Sequence, residues 1–251
     1  MRKETIVIKL SGKMLNKLNE LVPQIKQVSN KYHIILVHGA KEQISNLMLR
    51  LNKEPKFIEG HRVTDKETLE IIKMVDGKLN IDFVTALESV GVNTVGLSGC
   101  DGQVILGDSD NKTGHEGLVT KINLNLIREL IDKYVIVLLP LAYDSKLKTA
   151  INIDADDLAT KLARTAGATK MMILGEVKGL LDKNGEIINR LTTKELDILI
   201  EEGTVKGGMI PKMRACIAAN LPKVWILDGN EKNVILRALD GEKTGTMIVG
   251  K

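Results

Sequence analysis

Lysines beside glycines, together with a short acidic segment, are the residues of this chain whose types and spacing suit chemistry on an anion. Lys206-Gly-Gly-Met-Ile-Pro-Lys212 leads into a helix-forming run through Cys216, Ala218 and Ala219. Pro211 fits the first turn of such a helix, where a missing N–H costs nothing. A helix start carries unpaired N–H groups and a partial positive charge. With Lys212 and glycines that permit close backbone approach, it predicts an anion site, most naturally for phosphate. An ordinary Gly-Gly turn into a surface helix is the alternative. Lys9 interrupts the apolar run Thr5-Ile-Val-Ile-Lys-Leu10 just before Ser11-Gly12. Burying an unpaired ammonium is costly, so Lys9 either meets an anion or snorkels from a strand end to solvent. Asp154 and Asp156 alternate with Asn152 along a predicted extended segment and would share one face. Capping the following helix is the other role open to these acids. Arg62, in a turn-like stretch, offers a bidentate fork for a carboxylate, or is a solvated loop arginine.

The elements that must position these residues alternate between strand and helix. Residues 5–10 read as a buried strand, and Leu15, Leu18, Leu21, Val22, Ile25 and Val28 have helical spacing over 15–30. A second strand at 34–37 and a helix through Ile44, Leu47, Met48 and Leu51 follow. This order predicts an α/β fold with a mainly parallel sheet. Lys56 to Asp65 reads as a hairpin or a loop. Thr64 with Glu67 predicts a capping box opening a long helix towards Ala86. Residues 104–106 and 118–122 predict a hairpin beside the sheet, and 135–139 a strand stopped by Pro140. A helix is predicted from about Asp157 to Ala166, then a strand at 171–174 and a second capping box at Thr192 and Glu195. A strand at 224–227, a helix near 234–239 and a last strand at 246–249 complete the chain, with a lobe boundary at Gly167. Strand ends run into small-residue loops at Ser11-Gly12, Gly39-Ala40, Ser98-Gly99 and Gly175. Ligands bind outside the carboxyl ends of parallel strands, so several such loops near lysines predict a polyphosphate along one sheet edge.

Composition narrows the classes. The 251 residues are 43% hydrophobic, enough for one large domain or two lobes, and no apolar run approaches a membrane span. The start passes into a strand without a signal-peptide core, which predicts a cytoplasmic protein without membrane association. The net charge of +4 suits an anionic small molecule or an acidic partner, whereas aromatics at 2% leave few stacking platforms for nucleic acid. Cys100 and Cys216 are in no metal spacing, and His33, His38, His61 and His115 lack zinc-helix spacing, so no metal held by side chains is expected. Walker, Rossmann and nucleophile-elbow motifs are missing.

Taken together and in order, these stretches resemble the amino acid kinase family, and within it the branch acting on N-acetyl-L-glutamate. The resemblance rests on Ile8-Lys-Leu-Ser-Gly12, Val37-His-Gly39, Gly60-His-Arg-Val-Thr-Asp65, Gly96-Leu-Ser-Gly-Cys-Asp-Gly102, Asn152-Ile-Asp-Ala-Asp156 and Gly207-Gly-Met-Ile-Pro-Lys212. It implies a three-layer αβα sandwich with a mainly parallel central sheet, in two lobes. Residues 1–166 would bind N-acetylglutamate and residues 167–251 ATP. By the same resemblance, Lys9 and Lys212 stabilise the transferring phosphoryl group and Asp156 holds the two lysines. Arg62, Asn152 and Asp154, with the backbone at Gly39 and Ala40, hold the substrate. Ser11, Gly12, Gly175, Glu176, Lys178, Gly179, Leu180, Leu181, Gly207, Gly208 and Met209 line the nucleotide, whose phosphates carry most of the Mg²⁺ coordination. The implied reaction converts a side-chain carboxylate to an acyl phosphate, a step of arginine biosynthesis. The family's second loop usually reads His-Gly-Gly-Gly, against His38-Gly-Ala-Lys41 here, and Gly175-Glu176 stands for a usual Ser/Thr-Asp. Asp154 replaces an asparagine, as in relatives acting on aminoadipate or glutamate attached to an acidic carrier protein. That carrier-linked kinase is one alternative; a catalytically impaired, ligand-binding regulatory paralogue is another, against which both lysines and Asp156 argue. Arginine-inhibited hexamers of the family carry an extra helix before the first strand, which here begins by about Thr5, so an arginine-insensitive homodimer is expected.

Overall fold

Apolar, β-branched runs set the central strands of the computed structural model, which describes residues 3–110, 112–207 and 209–250, with backbone alone at Pro211. In chain order, β1 (Glu4–Leu10) passes through a 3-10 turn (Gly12–Lys17) into α1 (Leu18–Ser29), β2 (Tyr32–His38) and α2 (Lys41–Arg50). The short strands β3 (Phe57–Ile58) and β4 (His61–Arg62) precede α3 (Lys66–Glu88) and β5 (Thr94–Ser98). Next come β6 (Ile105–Ser109), β7 (Glu116–Ile122), α4 (Asn125–Leu130), β8 (Val135–Leu139), β9 (Leu141–Asp144), β10 (Thr149–Ile153) and α5 (Ala155–Thr165). The remainder is β11 (Lys170–Gly175), β12 (Arg190–Thr192), α6 (Thr193–Glu201), α7 (Met209–Ala219), β13 (Lys223–Asp228), α8 (Val234–Leu239) and β14 (Thr246–Val249).

The main sheet has eight strands in the order β12-β14-β13-β11-β1-β2-β8-β5. Every neighbouring pair is parallel except β13 with β14. Parallel strands covered on both faces need apolar residues on both faces, and β1 is buried without a break from Ile6 to Leu10. Alternation then splits the core into two layers. Val7, Ile35 and Met171 pack with Leu158 and Leu162 of α5 and Met213 of α7. Ile6, Ile8 and Leu36 pack on the opposite side with Ile25 of α1, Phe83 of α3 and Ile235 of α8. The result is the three-layer sandwich the sequence implied.

Strands β6, β7, β9 and β10 close into a small barrel beside this sheet. The predicted hairpin is β6 with β7; β9, which pattern alone missed, begins directly after Pro140 as the chain leaves the main sheet. The crossing is tight at Gly99, where a Cβ would lie 2.1 Å from the Leu141 carbonyl oxygen, so only glycine fits.

Three local expectations are corrected. The α3 cap is Asp65, whose side chain accepts from the Thr68 N–H at 2.8 Å, because Thr64 is held in extended pairing with Gly114. The predicted helix over 15–30 is split, its first turn winding as the 3-10 segment. Asp156 is not on an extended stretch with Asn152: β10 ends at Ile153, and Asp156 lies in the first turn of α5. The capping box at Thr192 and Glu195 is present as expected.

Candidate active site

Strands β11, β1 and β2 lie side by side and in register, so Leu174, Leu10 and His38 end together at one sheet edge. A cavity of about 600 Å³ opens there. Lys9, Ser11, Gly12, Gly39, Ala40, Arg62, Asn152, Asp154, Asp156 and Lys212, from five separate stretches of the chain, all line it.

At its centre Lys9 is 5% exposed, and Asp156 lies 2.8 Å from its ammonium through Oδ1. The contact is ionic rather than a directed hydrogen bond, since that oxygen has no partner in hydrogen-bond geometry. Lys212, in the first turns of α7, reaches Asp156 Oδ2 at 3.5 Å. Packing makes this possible: α5 and α7 cover the face of the sheet on which Lys9 emerges, between Ile8 and Leu10, which face the other way. Asp154 is the cap that starts α5; its Oδ1 accepts the backbone N–H of Asp156 at 2.8 Å and of Asp157 at 3.0 Å. Burial raises the proton affinity of Asp156, but the charges of Lys9 and Lys212 outweigh it and hold the carboxyl below its usual value. Two cations against one anion leave this centre net positive and facing the cavity. Just beyond it, Ser11 Oγ is buried with no partner, a hydroxyl ready for a ligand oxygen.

The other end of the cavity is built around Arg62. Its guanidinium donates to Lys41 O at 2.8 Å, Ser45 Oγ at 2.9 Å and Met48 Sδ at 3.2 Å, and stacks on Phe57 at 4.8 Å. Glu116 organises the wall opposite. It accepts from the Arg62 N–H at 3.1 Å, Asn152 Nδ2 at 3.0 Å and His61 Nδ1 at 3.1 Å. Burial raises the Glu116 acid, and these hydrogen bonds draw it part of the way back. The Gly39 N–H is committed to the Leu10 carbonyl at 2.9 Å, so that amide is not free for a ligand. Ala40, where the family usually has glycine, is buried in the cluster with Ile44 and Met48. Lys41 leans on the hairpin β3–β4, 4.7 Å from the Phe57 ring.

Of the residues expected at the nucleotide, Ser11 and Gly12 line this cavity, whereas Gly175, Glu176, Lys178, Gly179, Leu180, Leu181, Gly207 and Met209 do not. Gly175 ends β11 beside Ser11, and Glu176 pairs with Lys13 at 2.7 Å on the surface. Lys178 is exposed, as is Leu181, which bridges to Ile187. Leu180 is buried in the core under this loop and donates its N–H to Thr246 Oγ1 at 2.7 Å; Gly179 has φ +145° against the same threonine. Gly207 (φ +56°) and the half-buried Met209 flank the start of α7, while Gly208 lies outside the described residues. Pattern reading missed two buried acids of the cavity, Glu116 and Asp76. Asp76 had a signal: it breaks the apolar stripe Leu69, Ile72, Phe83, Leu87 of α3. Glu116 had none, because its partners are distant in sequence.

A parallel sheet with two lysines clamped on one aspartate at its carboxyl edge suits phosphoryl transfer by charge stabilisation, the chemistry of the kinase class. The chain belongs to the amino acid kinase family, whose model it matches over residues 4–224. It is 36% identical over 258 residues to the acetylglutamate kinase of Kosmotoga olearia, covering 98% of this chain and 91% of that one. In fold it is similar to the N-acetylglutamate synthase of Neisseria gonorrhoeae complexed with coenzyme A and L-arginine, with a TM-score of 0.87 at 22% identity. That likeness covers all of this chain and 62% of the synthase, so the chain spans less than two thirds of it. The carbamate kinase of Giardia lamblia bound to AMP-PNP aligns over 99% of both chains with a TM-score of 0.75 at 19% identity.

Proposed function

We propose that this protein phosphorylates the side-chain carboxylate of N-acetyl-L-glutamate, yielding an acyl phosphate. The observation that carries the reading is Asp156 held between the ammonium groups of Lys9 and Lys212 at the sheet edge. The acetylglutamate kinase relative at 36% identity over nearly the whole chain supports the substrate. ATP, when bound, supplies the γ-phosphoryl group. The site fits such a donor: Ser11 Oγ has no protein partner, and a phosphate oxygen would satisfy it. It fits Mg²⁺ held mainly through the nucleotide's phosphates, because Asp156 is already engaged by two ammoniums.

The attacking carboxylate is an anion and needs no general base. Its barrier is repulsion from the phosphoryl group, which Lys9 and Lys212 offset as negative charge gathers between donor and acceptor. Asp156 keeps the two ammoniums together and aimed at that point. Arg62 holds the substrate's other carboxylate at the far end, on a wall fixed by Glu116 and Asn152. Residues 1–166 thus serve the acyl amino acid and residues 167–251 the nucleotide. A homodimer completes the reading: α3 leaves Met74 and Ile81 exposed two turns apart, with Lys78 between them, on a face a second copy would cover.

Hydroxamate trapping with ATP and a panel of acceptors tests the function. Acyl phosphate from N-acetyl-L-glutamate, and little from free glutamate or aminoadipate, is expected. Product only from a carrier-linked acceptor would overturn the reading.

A further inference from the structure

Asp76 is a carboxyl group whose position the packing of α3 does not explain. Its side chain is completely buried, and neither carboxylate oxygen has a hydrogen-bond partner. It nevertheless lines the substrate cavity together with Arg62, Ala40, Ile44 and Pro140. Arg62 acts on it through space but is not in ion-pair contact with it, and among the described residues the guanidinium has no carboxylate at ion-pair distance. A buried acid and a buried cation therefore face one cavity without closing on each other.

Resting on the substrate proposed above, we infer that Asp76 is a further recognition residue, which enters the complex as the neutral acid and donates its O–H to an oxygen of the ligand that Arg62 holds. When a substrate carboxylate docks on Arg62, it takes up the guanidinium's attraction and sets a second negative charge beside Asp76. Like charges in a site closed to water disfavour the ionised acid. Above about pH 7, where the free acid is ionised, up to one proton passes from solvent to the Asp76 carboxylate on binding and returns on release. The O–H so formed is a donor that Ile44 and Pro140 cannot supply.

The surroundings leave this titration to Asp76. Burial lifts its acid to about 7, and Arg62 alone pulls the other way. His38, at the end of β2, is held uncharged by burial, which lowers it to about 4. Strands β5, β8 and β10 carry no ionisable side chain towards α3. The charges of α2 (Lys41, Glu42, Arg50) and of α1 (Glu20, Lys26) are exposed. Glu116 and His61 line the same cavity and are engaged with each other.

The test measures KM and kcat for N-acetyl-L-glutamate from pH 6 to 9, with calorimetry in buffers of different ionisation enthalpy to count protons taken up. The wild type is expected to show proton uptake and a KM rising by up to about tenfold per pH unit above neutrality, with kcat little changed. Asp76→Asn, neutral and still a donor, should keep the low KM, flatten the profile and abolish the uptake. Asp76→Val, with its thermal unfolding checked for an intact fold, should show a raised KM at every pH. Wild-type turnover with a pH profile that Asp76→Asn leaves unchanged would overturn the inference alone, as would Asp76→Val binding like the wild type. A wild type that neither binds nor phosphorylates N-acetyl-L-glutamate would overturn the substrate reading and this inference with it.

Discussion

A buried and a half-buried aspartate in one cavity carry opposite perturbations, and distance to a cation decides which. Asp156 has ammonium groups at 2.8 and 3.5 Å, so attraction wins over burial and the acid stays ionised. Asp76 has only the more distant Arg62, so burial wins. Lys9→Ala and Lys212→Ala should each lower kcat by about 10²–10³-fold with a smaller effect on KM, because the cations act most as charge develops in transfer. Asp156→Asn should also lower kcat, and Lys9→Ala/Asp156→Asn should lose far less than the product of the single losses. Multiplicative losses in steady-state kinetics would separate Asp156 from the lysines. Asp76 bears on stability through its raised acid. The folded chain keeps the proton up to about pH 7, while the unfolded one loses it near the ordinary 3.8. Stability from this group is therefore full below about pH 4, falls as pH rises and is lost above about 7. Asp76→Asn should raise the melting temperature at pH 8, by the equivalent of about 1–3 kcal/mol, and hardly change it at pH 4. Calorimetric scans showing a lowered or pH-independent shift would contradict this.

At the scale of elements, α5 is the part that aims the site. Its cap Asp154 fixes where the first turn begins and so where Asp156 points. Asp154→Ala should lose about 1 kcal/mol of stability and several-fold in kcat, since the first turn frays and Asp156 drifts from Lys9. Asp154→Ser, another good cap, should recover most of both in denaturant titrations and assays. If Asp154→Ser raised KM sharply with full stability, Asp154 would be a ligand contact instead of a cap. The capping role was open in the sequence beside the binding role, because Asp154 and Asp156 differ only in which side of the strand-to-helix join they fall. A period-2 pattern does not locate such a join to one residue. The cap of α3 was misplaced for the same reason: Thr64 and Asp65 are both good caps, and an extended pairing with Gly114, far along the chain, takes Thr64.

At the scale of the molecule, one sheet runs through the Gly167 boundary. Strand β1 pairs with β11 over five residues, so Lys9 stands on a sheet shared by both halves of the chain, and Lys212 reaches it from α7, which packs over that sheet beside α5. A rigid join suits a centre that must hold two like charges close together. The proposed dimer would add a second layer of order by covering Met74 and Ile81, which are 56% and 66% exposed. Light scattering is expected to give about twice the 27.6 kDa chain mass. A mass of one chain or of six would refute the dimer, and Ile81→Glu should shift it to one.

Sequence by itself determined the α/β class, the parallel sheet and the family, and it singled out Lys9, Lys212, Asp156 and Arg62, which the fold brings to one cavity. The class and sheet follow from patterns within a few residues of each other, apolar runs and small-residue strand ends, while the family rests on the resemblance of motifs taken in order along the chain. Tertiary structure alone decided how these residues are used. Arg62 owes its setting to Lys41, Ser45 and Met48 of another helix, and Asn152 finds Glu116 thirty-six residues away. Asp76 is an interruption in a helical stripe until the cavity on its far side is seen. Burial and the distance between charges set what an acid does, and neither is a property of a residue's neighbours along the chain.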